Sequence, residues 1–134
     1  MRTLKTLPNG DLERDIRGHL VVCSGAEAER VHAENALRVR LGECPFDLAL
    51  GLDASIVGVS DGPVPVNLEI ARAVLKATGI RAVVDCQTEV VETAQRAAEL
   101  GVSEAFAENP QRITHTELLL LGQHGGQLKI GLPV

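Results

Sequence analysis

The stretch "IRAVVDCQTEVVETAQRAAELG", residues 80–101, passes from an apolar run of strand length into small and charged residues at helical spacing. "RAVVDC" is rich in β-branched side chains and reads as a strand. "TEVVETAQRAAELG" reads as a helix, with Thr88 as its N-cap and Gly101 as its stop. A strand that enters a helix through a polar turn is half of a βαβ unit.

The same pattern occurs twice upstream. "HLVVCS" (19–24) is a strand leading into "SGAEAERVHAENALRVRLG" (24–42), where Ser24 and Glu27 form a capping box and the helix runs from near Gly25 to Gly42. "SIVGVSD" (55–61) is a strand, and "PVNLEIARAVLKATG" (65–79) is a helix with Pro65 in its first turn and Gly79 past its end. Three such repeats predict an α/β fold of Rossmann-like βαβ units, with a largely parallel sheet and right-handed crossovers. The tail "THTELLLLGQHGGQLKIGLPV" (114–134) predicts a C-terminal antiparallel hairpin around "GQHGGQ".

Other segments are less determined. In "FDLALGL" (46–52) the apolar residues recur at period two, as in a strand, but Pro45 also suits the first position of a short helix, and both stay open. "VSEAFAENPQRI" is a loop or a short helix ended by Asn109-Pro110. Residues 1–18 form a hairpin turning at Asn9-Gly10, or an arm, on a single α/β domain of 134 residues.

Composition narrows the function. The core must be Val, Leu, Ile and Ala, because the chain has two Phe and neither Trp nor Tyr. Net charge is −5 and no face gathers Lys and Arg apart from acids, which argues against nucleic acid as a partner. The first twenty residues are too polar for a signal peptide and no apolar run has membrane-span length, so the expectation is a soluble, cytoplasmic protein with no membrane partner. Three cysteines without regular spacing make neither a disulfide framework nor a zinc motif. His19, His32, His115 and His124 share no metal spacing, and no metal site is expected. No cofactor can be named, since G-x-G-x-x-G and a Walker-type lysine are both absent.

In a parallel sheet the carboxyl ends of the strands share one edge, and ligands bind outside it. That edge would gather Cys23-Ser24-Gly25, Ser60-Asp61-Gly62 and Cys86-Gln87-Thr88. Glu27, Glu29, Glu89 and Glu92 crowd the first turns of two helices, whereas the helix opening at Pro65 carries no acid before Glu69, which favours an anion there. The expected ligand-binding residues are therefore Ser24, Gly25, Ser60, Asp61, Gly62 and Thr88, with His124 reaching in from a Gly-rich turn. Catalysis, if present, would use Asp61 as general base or Cys86 as nucleophile. Cys23 with Arg30 has one residue too many for a thiolate phosphatase loop.

Three functions are in play. The first is a protein that binds a small polar or anionic metabolite at the carboxyl ends of its parallel strands, with catalysis open. The second is a non-enzymatic oligomeric subunit or regulatory protein acting through protein contacts; the third is a thiol-dependent enzyme using Cys86. A homo-oligomer is expected because "VNLEIARAVLKA" has only Glu69, Arg72 and Lys76 as a charged stripe, and because Val31 and Val39 lie opposite Ala33, Leu37 and Leu41. A helix apolar on two sides needs two partners.

Overall fold

The computed structural model describes residues 2–7, 10–53, 55–56, 63–77, 79–91, 93–101, 103–108, 113–123 and 125–133. In chain order the elements are β1 (Arg2–Leu4), β2 (Val22–Ser24), α1 (Ala26–Arg38), α2 (Pro63–Leu75), β3 (Ile80–Val91), α3 (Ala94–Leu100), α4 (Ser103–Glu108), β4 (Ile113–Gly122) and β5 (Gln127–Pro133). They form a two-stranded sheet, β1-β2, and a three-stranded sheet in the order β3-β4-β5, every strand pair antiparallel.

The expectation of a largely parallel, Rossmann-like sheet is therefore overturned. Among the described residues the sole parallel pairing is an isolated bridge between Arg40 and Leu52. The cause lies in residues 80–101. β3 does not stop at Cys86 but runs through Thr88 to Val91, each of Thr88, Glu89, Val90 and Val91 paired with a residue of β4. The helix starts later, at Thr93, whose side chain accepts a hydrogen bond from the Arg96 N–H at 3.2 Å. A twelve-residue strand is about 40 Å long, whereas a seven-residue helix rises only about 10 Å. Such a helix cannot carry the chain back to the start of the strand, so the chain turns over α3 and α4 and returns antiparallel as β4.

The first helix also begins differently from its sequence pattern. Ser24 ends β2, and Gly25, with φ of 63°, occupies the N-cap, a left-handed backbone that glycine adopts without strain. No side chain caps α1, so the Ser24–Glu27 box is not formed. Residues 46–52 are neither strand nor helix but successive turns, in which Asp47 N–H donates to the Cys44 carbonyl and Leu50 N–H to that of Asp47. N-terminal to β2, Lys5, Glu13 and Val21 exchange backbone hydrogen bonds and so bring three extended segments side by side.

The core lies between the helix pair α1–α2 and one face of the three-stranded sheet. Ala33, Ala36 and Leu37 of α1 and Val66, Ile70, Ala73 and Val74 of α2 pack on Leu118 and Leu120 of β4 and Leu128 and Ile130 of β5. Small residues on the helices let them lie close to a branched sheet surface. The second apolar side of α1 is covered within the chain: Val31 is fully buried in a cluster with Ala28 and Cys23 of β2. That side of α1 therefore gives no reason to expect another subunit.

Glu69 and Arg72 are not a solvent stripe either. Glu69 is 6% exposed, its carboxylate accepts from Arg72 and from the Asp53 N–H at 2.9 Å, and Arg72 Nη2 donates to the Gly51 carbonyl at 2.7 Å. The pair fastens the 51–53 loop to α2.

Candidate functional site

The expected site residues that the structure describes are divided between two sheets. Ser24 pairs with Arg2 in the two-stranded sheet and Gly25 follows it, while Cys86 and Thr88 lie within β3 of the other sheet. Ser60, Asp61, Gly62 and His124 fall outside the described residues. Among the described residues, Ser24 and Gly25 thus lie at a different sheet from the one that holds Cys86 and Thr88.

Cys86 and Thr88 do share surroundings. Both point to the core face of β3, opposite Leu118 and Thr116 of β4. Asn67 of α2 reaches down to them: its Oδ1 accepts from the Thr88 hydroxyl at 2.6 Å and from the Cys86 thiol at 3.5 Å, and Thr88 and Thr116 share a further hydroxyl contact at 3.1 Å. This is a closed set of polar groups joining α2 to the sheet. Burial pushes the Cys86 thiol up, with the Asp85 carboxylate adding to the effect and the Thr88 bond opposing it. Cys23 is raised as well, first by burial and then by Glu27. A nucleophilic cysteine needs its thiolate favoured, and neither site favours it.

Beside this cluster, α2 and β3 border a groove of about 610 Å³. Its walls include Leu68, Ala71 and Leu75 of α2 and the continuous run Arg81 to Cys86 of β3. Leu68 is 68% exposed and Val84 55%, and Leu75 is exposed too. Among the described residues β3 is an edge strand, hydrogen-bonded to β4 on one side only. The groove thus combines apolar side chains with strand backbone groups that have no sheet neighbour among the described residues. Its alternation is interrupted by irregularities in the β3 register between Ile80 and Ala82 and between Val83 and Asp85.

A second group lies on the opposite face of the sheet, and of the expected site residues that the structure describes Thr88 alone borders it. Glu89, Arg96, His115 and Glu117, with Gln87 and Thr88, line a polar cavity of about 170 Å³. Its sequence signal was the spacing His115-x-Glu117, which on a strand puts both side chains on one face. The partners Gln87 and Glu89 come from cross-strand register. Burial holds the His115 imidazole below its ordinary value, against the pull of Glu117 and Glu89.

Among the described residues no group of three or more His, Cys, Asp or Glu side chains is arranged to hold a metal ion. None of the described helices is long and apolar enough to cross a membrane. The sequence matches no protein-family model and no curated protein.

Proposed function

We propose that the protein is a non-enzymatic subunit that self-associates through the face made by α2 and the outer edge of β3. The observation that carries this reading is the groove: Leu68, Leu75 and Val84 stand exposed beside a strand edge that has no sheet neighbour among the described residues. Exposed large side chains scattered singly need no explanation, but a row of them along an open strand edge is a surface suited to another chain. The rim charges favour a second copy as that chain. Arg81 and Asp85 both line the groove, and across a two-fold axis each copy's cation can meet the other's anion.

The metabolite reading rested on strand ends that share an edge, and that premise is gone with the parallel sheet. The thiol-enzyme reading has to contend with cysteines raised by burial. Light scattering on the eluted protein at micromolar concentration tests the subunit reading. The expected result is a discrete oligomer that Leu68→Asp converts to monomer with its circular dichroism unchanged. A strictly monomeric species of 14.2 kDa would overturn it.

A further inference from the structure

On the face of the sheet away from α1 and α2, Glu89 of β3 stands opposite His115 of β4, and Gln87 stands opposite Glu117. α3 reaches this face through Arg96, whose Nη2 donates to Glu89 Oε1 at 2.7 Å. His115 is 4% exposed; its Nε2 lies 3.9 Å from Glu117 Oε1, and its buried Nδ1 has no hydrogen-bond partner among the described residues. We propose that His115 is a proton-sensitive release for α3: on taking up a proton it competes with Arg96 for Glu89 and frees the helix from the sheet.

The charges around the ring make the competition one-sided. While the imidazole is neutral, Arg96 is the cation that Glu89 faces in the cavity. Once protonated, the ring is a second cation in the same small space, with Glu89 across the strand pair and Glu117 two residues along its own strand. It repels Arg96 and attracts the carboxylate that Arg96 holds. From β5, Gly131, paired with Glu117, lies on this side and carries no charge; a Cβ there would sit 3.4 Å from His115 Nε2, so the glycine leaves that side of the ring open. Lys129 lies further along the same face, opposite Leu119.

Releasing α3 is also undemanding. Arg96 Nη1 already donates to Glu99 at 2.9 Å, and Glu99 is on the same helix, so the guanidinium keeps a counter-ion when it leaves Glu89. Ala97 is the one buried residue of the seven in α3. A helix of this length has little stability apart from its packing. Because burial disfavours the imidazolium, the release operates on the acid side of the ordinary histidine range.

The test is NMR on the full chain with methyl-labelled alanine, followed from about pH 8 to about pH 5 across the histidine range. The Ala97 methyl reports docking of α3, and the His115 ring resonances report protonation. The expected result is that the Ala97 methyl moves with the same midpoint as the His115 ring. In Glu89→Gln, which keeps the imidazole but removes the clasp, the methyl sits at its low-pH position throughout. In His115→Gln it stays at its high-pH position. An Ala97 methyl that holds still while His115 titrates overturns the proposal, and so does one in His115→Gln that titrates with the wild-type midpoint. Should His115→Gln not fold, Glu89→Gln decides alone, since a wild-type titration of Ala97 in that variant is incompatible with the clasp.

Discussion

The hydroxyl of Thr88 donates to Asn67 Oδ1 at 2.6 Å, tying the middle of β3 to α2. A residue placed to cap a helix would instead turn its oxygen to the N–H groups following it. Thr88→Val keeps the β-branched shape that suits a strand and removes the hydroxyl, leaving Asn67 Oδ1 with only the long thiol contact of Cys86. The expected loss is about 1–2 kcal/mol, read from the urea midpoint with an unchanged slope. Thr93→Ala removes the actual cap of α3 and should cost about 1 kcal/mol or less, because α3 buries so little.

Gly51 lies where two segments touch. With φ of 109° it sits in backbone that L side chains rarely adopt, and a Cβ there would come 2.6 Å from the Val39 carbonyl oxygen and 2.8 Å from the Arg40 carbonyl carbon. Both contacts are main chain, so no rotamer change relieves them. Gly51→Ala should therefore lower stability by about 2–3 kcal/mol in equilibrium unfolding. It should also loosen the 51–53 loop, whose carbonyl at Gly51 is held by Arg72.

These relationships mark where local sequence carries the fold and where it does not. The apolar spacing of α1 and α2 is legible, since each helix carries its own pattern and buries it. The end of β3 is not. Thr88 and Thr93 are each followed by residues that can be helical, and "TEVV" between them is β-branched enough to be strand; the ten residues of β4 decide, by pairing with all four. Strand direction is likewise a property of pairs. Reading three strands as parallel put Ser24 and Gly25 on one edge with Thr88, whereas β2 joins β1 in a separate sheet. The His115 cavity depends on cross-strand register and on Arg96 arriving from α3, and only its His115-x-Glu117 half is written locally.

Thiol chemistry separates a structural from a catalytic role for the cysteines. With Cys86 and Cys23 both raised by burial, each should be alkylated by iodoacetamide more slowly than a free thiol at the same pH. Mass spectrometry of peptides quenched over time resolves the sites individually. Faster reaction at Cys86 than at a free thiol would restore the nucleophile reading.

Two carboxyl and imidazole titrations should appear in stability measured against pH, in separate windows. Glu69 is held below the usual carboxylate range, first by its bond from Arg72, while burial opposes the shift and the Asp53 N–H supports it. Its folded value lies below its unfolded one, so its contribution is complete above the unfolded value of about 4.5 and is lost as pH falls through the folded value. His115 is also lowered, by burial, but it is a base. Near pH 7 and above both states are neutral; below the ordinary value of about 6.5 the unfolded chain takes up a proton that the folded chain resists. Stability should therefore fall between that value and the lowered folded one, and become flat in this term below it. Urea unfolding at closely spaced pH values should show both declines in the wild type. His115→Gln should remove the upper decline and leave the lower; Glu69→Gln should do the reverse, starting from a protein about 1–2 kcal/mol less stable at neutral pH because the Arg72 and Asp53 bonds lose a charged acceptor. If the upper decline survives in His115→Gln, another group titrates there and the buried imidazole is not its source.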